Sequence, residues 1–320
     1  MAEPRFDVTT FGEMMLRLSV PSGQRLEVAK NLDVHPAGAE ANVATLLSRL
    51  ERKVSWAGAL PKNPLGRMAS NHLRLAGVGL DQIIWKEKGR LGTYYVEFGE
   101  PPRGIQVTYD RAYSNTTTLQ ADEINWDILL NTRILHLTGI TPALSDSCLE
   151  IILQALDKAK EKNIPISFDV NYRQKLWTEN QAKETLLPMI QNVEILFCSQ
   201  ADAMRLFECK GEIKDIAKNM LEISHAKNIV VSSGEQGAIL WNGKEWIHEP
   251  ARPTKIIDRL GAGDALASGV IHGWLDKNIA QGLKYGVILS ALALSQFGDA
   301  VVTTKEELAS LSNASSMITR

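Results

Sequence analysis

The sequence predicts an α/β fold: helices on both faces of a mostly parallel sheet, in three layers, with a small second sheet set apart from it. Three observations carry this. From about residue 125 onward, short apolar runs alternate strictly with helical stretches, the pattern of crossover units covered on both faces. Segments 14–35 and 91–113 break that rhythm with half-alternating β-branched and aromatic residues. Finally, one glycine turn, Gly261-Ala262-Gly263-Asp264, opens a long apolar helix.

Taken in order, the first strand runs into Gly12-Glu13-Met14 without a GxGxxG turn, which argues against a dinucleotide-dependent oxidoreductase. Tyr94, Tyr95, Val96, Phe98, Ile105 and Val107, around the turn Gly99-Glu100-Pro101-Pro102, read as strands of the small sheet. Two sequence-distant pieces of this kind suit a lid over a site, although an ordinary edge hairpin uses the same letters. Exposed lid edges would favour pairing with a second copy, so a homo-oligomer through the lid is expected. Strands follow at 134–137, 164–168, 195–197 and 229–231, and helices at 147–160, 182–190, 212–223 and 266–275; the tail from Lys305 is a polar helix start with a frayed end. Without repeats or a linker, residues 1–320 read as one domain.

Composition narrows the function classes. Of 320 residues, 35 are Lys or Arg and 37 Asp or Glu, a net charge of −2 that removes the electrostatic case for nucleic-acid binding. Cys148, Cys198 and Cys209 form no CxxC pair, and their odd number suits a reducing compartment. The start has no basic segment leading into an apolar one, and the apolar stretch 285–297 is broken by Ser290, Ser295 and Gln296, short of the ~20 residues a membrane span needs. A cytoplasmic enzyme without a membrane partner is expected.

The glycine turn is the most informative segment. Small residues at a helix start leave backbone N–H groups free to face an anion, and the helix dipole adds positive potential. Asp264, inside that cradle, is poor for holding an anion but well placed to take a proton from a hydroxyl attacking a phosphoryl group. A helix-capping carboxylate beside packing glycines would be written with the same letters.

At this point the chain resembles the ribokinase-like (PfkB) family of carbohydrate kinases, whose C-terminal signature reads Asp-Thr-x-Gly-Ala-Gly-Asp. The resemblance implies a ribokinase-like fold, Asp264 as catalytic base, and Gly261, Ala262 and Gly263 as the anion hole. Arg259 stands where the family has Thr, which bears on the turn and on any monovalent-cation site near it. Ala37-Gly38-Ala39-Glu40-Ala41-Asn42 looks like the N-terminal signature, with Gly38 and Asn42 toward the sugar. The stretches LHLTGITPALS (135–145) and Ser167-Phe168-Asp169-Val170-Asn171-Tyr172-Arg173 narrow the resemblance to 2-keto-3-deoxygluconate kinases.

A sugar acid needs a cation, and a planar guanidinium suits a carboxylate; Arg173 and Arg111 are the candidates, with Tyr94 and Tyr109 adding hydroxyls. For ATP, Ser233, Gly234 and Gly237 resemble the family's nucleotide loop, with Ser199 nearby and Ala291 beside the adenine. Where the family has Asn-x-x-Glu, this chain reads Ser199-Gln200-Ala201-Asp202, so Asp202 becomes the candidate for a water-bridged Mg²⁺. The expected activity is ATP-dependent phosphorylation of 2-keto-3-deoxygluconate at its primary 6-hydroxyl. The rivals are the same chemistry on fructose or ribose, and a non-catalytic sugar- or nucleotide-binding relative.

Overall fold

The computed structural model describes residues 3–99 and 102–313; Glu100 and Pro101 of the expected turn, and the end of the tail expected to fray, lie outside these. In chain order the strands are β1 (Phe6–Phe11), β2 (Met15–Ser19), β3 (Asp33–Ala37), β4 (Val54–Pro61), β5 (Ile83–Lys86), β6 (Gly92–Glu97), β7 (Gln106–Asp110), β8 (Thr132–Thr138), β9 (Ile166–Asp169), β10 (Ile195–Ser199), β11 (Asn228–Ser232), β12 (Ala238–Trp241) and β13 (Trp246–Glu249). They form a nine-stranded sheet, β13-β12-β11-β10-β9-β8-β1-β4-β5, and a four-stranded one, β3-β2-β6-β7. Neighbours from β11 to β5 are all parallel, as the alternating pattern requires. At the other edge β11 turns back antiparallel into β12, so the glycines near 234–237 close a hairpin.

The helices are α1 (Ala39–Arg49), α2 (Pro64–Ala76), α3 (Trp126–Leu129), α4 (Asp146–Glu161), α5 (Glu179–Met189), α6 (Gln200–Phe207), α7 (Ile213–Ser224), α8 (Ala262–Leu275), α9 (Ile279–Leu294) and α10 (Lys305–Asn313). Strand periodicity sends successive side chains to opposite faces, and the core follows that rule. Leu196 and Cys198 pack with Ile151, Leu186, Leu206 and Ile216 of α4–α7, while Ile195 and Phe197 pack with Leu47, Leu73, Val270 and Leu283 of α1, α2, α8 and α9. The three expected layers are these.

Helix starts follow their capping residues. α5 begins a turn earlier than its apolar pattern predicts because Thr178 and Gln181 form a reciprocal capping box. α8 likewise begins at Ala262, so the glycine turn is its first turn. α8 and α9 touch backbone to backbone: a Cβ on Gly269 would lie 2.2 Å from the Gly286 nitrogen.

The small sheet is built from both expected segments, with β3 running on to Ala37. Its core of Met15, Ala37, Tyr94, Val96 and Phe98 packs against Leu260 of the glycine turn, which places the sheet over the end of α8. No helix among the described residues is long and apolar enough to cross a membrane.

Candidate active site

Where the carboxyl ends of the parallel strands meet the small sheet, a cavity of about 380 Å³ opens. It gathers Gly38 and Asn42 at the start of α1, Tyr94, Tyr109 and Arg111 from the small-sheet segments, Arg173 beyond β9, Ser199 at the end of β10 with Asp202 just after it, and Gly261 to Asp264. Sequence-distant candidates therefore share one space.

The glycine turn has the backbone form that an anion site needs. Gly261 has φ +83°, and a Cβ there would sit 2.0 Å from the Asp299 carbonyl oxygen, so only glycine fits. The amides that follow belong to the first turn of α8 and have no intrahelical acceptor. A Cβ on Gly263 would meet no described atom within 4 Å, and the residue is exposed.

Asp264 borders this turn. Burial pushes its carboxyl up to about 7, a hydrogen bond from Asn42 pulls it down, Asp169 raises it and Arg173 lowers it. A carboxylate near 7 is matched to proton transfer at neutral pH. Asn42 Nδ2 donates to Asp264 Oδ2 at 2.7 Å, and Asn42 Oδ1 accepts from the Gly38 N–H at 3.4 Å. The Asn42 amide expected to meet sugar hydroxyls is thus already engaged, and it orients Asp264. Gly38 is needed for close approach, since a Cβ would lie 2.2 Å from the Glu13 carbonyl oxygen.

The two candidate arginines differ. Arg173 is exposed, makes no ion pair among the described residues, and donates only to the Tyr172 carbonyl at 3.1 Å. Its charge lowers the pKa of Asp169, Asp202 and Asp264. Arg111, also expected to meet the sugar carboxylate, is instead buried against Glu13: its Nε donates to Glu13 Oε2 at 2.8 Å, its Nη2 donates to the same oxygen, and Ser114 Oγ donates to Oε1. The fold pairs this guanidinium because it lies in the seam between the small sheet and β1, where an unmatched charge would be costly. Tyr94 likewise spends its hydroxyl on Asp299 Oδ2 at 2.6 Å, with the Tyr109 ring 5.6 Å away.

Several nucleotide candidates stand outside the cavity. Ser233 Oγ donates to the side-chain oxygens of Gln200 and Gln236. Gly237, at φ +85° and with a would-be Cβ 2.1 Å from the Glu249 carbonyl oxygen, serves the hairpin, and Gly234 lies in its turn. Ala291 is half-buried on α9. None of the four lines the cavity; Ser232, one residue earlier, does. Ser199 lines it but caps α6, its Oγ accepting from the Asp202 N–H at 3.0 Å.

Among the described residues no three His, Cys, Asp or Glu side chains converge on a metal position. Asp169 and Asp202 nonetheless fit a hydrated Mg²⁺. Both line the cavity, and burial pushes both up, Asp169 to about 7, with Asp202 raising Asp169 further. A hard cation carrying its own waters would relieve that charge with oxygen ligands alone. The neighbourhood of Arg259 does not fit a free monovalent cation, because Asp258 and Asp299 there are already paired with Arg17.

Sequence reasoning passed over Asp169 and Asn171, although the strand-end motif contains both. Asn171 is buried at φ +41°, its N–H donates to Asp169 Oδ1 at 3.1 Å, and its own Oδ1 has no partner. The usable signal was position: polar residues just past a parallel strand face the ligand crevice.

Residues 5–306 match the pfkB family carbohydrate kinase pattern. The chain is similar, at 35% identity over 303 residues covering 94% of it and 95% of the relative, to the 2-dehydro-3-deoxygalactonokinase of Haloferax volcanii. It is similar, at 29% identity over 317 residues covering 97% and 96%, to the 2-dehydro-3-deoxygluconokinase of Bacillus subtilis. The crystal structure of the 2-dehydro-3-deoxygluconokinase of Thermotoga maritima superposes with TM-score 0.91 at 31% identity, covering 97% of this chain and 100% of that one.

Proposed function

The chain belongs to the pfkB family of carbohydrate kinases and is an ATP-dependent sugar kinase; from that premise we propose that its acceptor is a 2-keto-3-deoxy sugar acid, phosphorylated at the primary 6-hydroxyl. The observation that carries the substrate class is the unpaired Arg173 guanidinium in the same cavity as Asp264. It offers a planar fork to a carboxylate, at the opposite end of the sugar from the reacting hydroxyl.

In this reading Asp264, held by Asn42, accepts the proton of the 6-hydroxyl as its oxygen bonds to the γ-phosphorus and the bond to the β-phosphate oxygen breaks, releasing ADP. The amides of Ala262, Gly263 and Asp264 stabilise the charge on the transferring group. Mg²⁺, when bound, neutralises nucleotide oxygens, and Asp169 and Asp202 would hold its water shell. The small sheet acts as a lid that keeps water from competing as acceptor.

The Arg111–Glu13 pair favours one second reading, because it removes the net charge of one expected carboxylate partner and leaves room for a neutral sugar. ADP release with Mg²⁺ and ATP, run on 2-keto-3-deoxygluconate, 2-keto-3-deoxygalactonate, fructose, ribose and a sugar-free blank, separates these. Turnover highest on either keto-deoxy acid supports the proposal and names the epimer. Turnover highest on fructose or ribose replaces the substrate, and ATP binding without turnover on any sugar favours a binding relative.

A further inference from the structure

Behind the glycine turn lies a charged cluster to which no substrate contact has been assigned. Arg17 of β2 has a fully buried side chain (0% exposed), as does Asp258, and Asp299 is 12% exposed. Arg17 Nη1 donates to Asp299 Oδ1 at 2.7 Å, and Nε donates to Ser19 Oγ at 2.8 Å. Nη2 lies 2.5 Å from Asp258 Oδ2 in an ionic contact without hydrogen-bond alignment. The guanidinium also stands over the Phe98 ring, 5.3 Å from its centre.

Both acids hold the loops that shape the anion site. Asp258 Oδ1 accepts the Leu260 N–H at 3.1 Å, and its Oδ2 accepts the Gly298 N–H at 3.2 Å. Asp299 accepts the Tyr94 hydroxyl from the small sheet, and its carbonyl oxygen is the atom against which Gly261 packs. A buried ion pair is weak evidence for stability, because an apolar replacement is often neutral. What this one supplies is geometry: it ties the glycine turn, the loop at 298–299 and the small sheet to a single cation.

We propose that Arg17 is a positioning residue for phosphoryl transfer, a tethered cation that sets the anion-hole turn and, by pairing with both Asp258 and Asp299, leaves neither acid free to hold a monovalent cation there. This rests on the turn at 261–264 being the anion hole. Displacing such donors by about 1 Å costs on the order of 10²-fold in rate even when ground-state binding survives. Arg17 is buried and does not line the cavity, so its loss should appear in kcat rather than in KM.

The test uses the full chain and the wild type's best sugar, with folding checked by thermal melting. Arg17→Ala is expected to lose about 100-fold in kcat while the KM for ATP moves less than about threefold. Added guanidinium ion should restore part of that kcat, Arg17→Lys should retain more activity than Arg17→Ala, and wild-type turnover should be unchanged when choline replaces potassium. A folded Arg17→Ala with near-normal kcat, a loss that guanidinium does not reverse, or a wild type that requires potassium would overturn the proposal. If Arg17→Ala does not fold, Asp258→Asn, at an acid that pairs with Arg17 but does not line the cavity, decides: a roughly tenfold loss confined to kcat supports the clamp, and an unchanged kcat ends it. Asp264→Asn runs alongside, since its survival would undo the reading of the turn, whereas its death beside an active Arg17→Ala would undo only this inference.

Discussion

The two faces of the cavity handle charge in opposite ways. On the small-sheet side each arginine is matched: Arg17 with Asp258 and Asp299, Arg111 with Glu13, and Arg25 and Arg103 with Glu97. On the large-sheet side Asp169, Asp202 and Asp264 crowd one cavity whose lining arginines Arg173 and Arg259 make no ion pair among the described residues, and burial pushes all three carboxyls up. Matched charge fixes one arrangement of loops. Unmatched charge is left for ligands to complete, which is where proton transfer, cation binding and carboxylate recognition are available.

The sharpest break of this contrast is Asp264→Asn. It keeps the shape and the Asn42 contact region but removes the proton acceptor, so turnover should fall by about 10³-fold, within the range of general-base effects. ADP release at saturating ATP reads this, and near-normal turnover would take Asp264 out of the chemistry.

On the matched side, Glu13→Gln strands a buried guanidinium and should cost about 3 kcal/mol of stability, read as a lower urea midpoint. A midpoint unchanged from wild type would mean that the Arg111 pair is not holding the seam. Arg173→Gln tests the unmatched side more gently. This exposed group makes one hydrogen bond to a neighbouring carbonyl, so stability should change little while KM for a keto-deoxy acid rises about 10- to 100-fold, the worth of a charged hydrogen bond or two. The same change should leave KM for a neutral sugar alone.

The smallest effects are in pH. Because Asp264 sits at about 7, kcat/KM should rise with pH through that value as the carboxylate ionises. Stability runs the other way for Asp169, whose pKa is about 7 folded and near 4 unfolded. Its contribution is present below the unfolded value and is lost as pH rises through the folded one. Asp169→Asn should therefore raise Tm at pH 8 and not at pH 4; a gain of equal size at both would point to packing rather than charge.

Much of this was legible in the chain. Alternating apolar runs placed β8 to β11 and α4, α5 and α7 within a few residues, because strand and helix periods are local properties of the backbone; the short α6, capped by Ser199, was not expected. The misses at helix starts, as at α5 and α8, came from capping and glycine chemistry that apolar periodicity does not register. Gly38, Asn42, Arg173 and the 261–264 turn were found by motif and do line one cavity. Ser233, Gly234, Gly237 and Ala291 were chosen the same way, and the hairpin and α9 place them elsewhere.

Sequence by itself determined the layered α/β architecture, the glycine turn with its aspartate, and the kinase family, since each is carried by letters close together or by a repeating period. Only the tertiary structure decided which charges are free. Whether Arg111 or Arg173 faces a ligand depends on partners 98 residues away, as Glu13 is from Arg111, and Arg17 meets an acid 282 residues off at Asp299. Coulomb energy and desolvation depend on distance in space and on the surrounding medium, and neither is written along the chain.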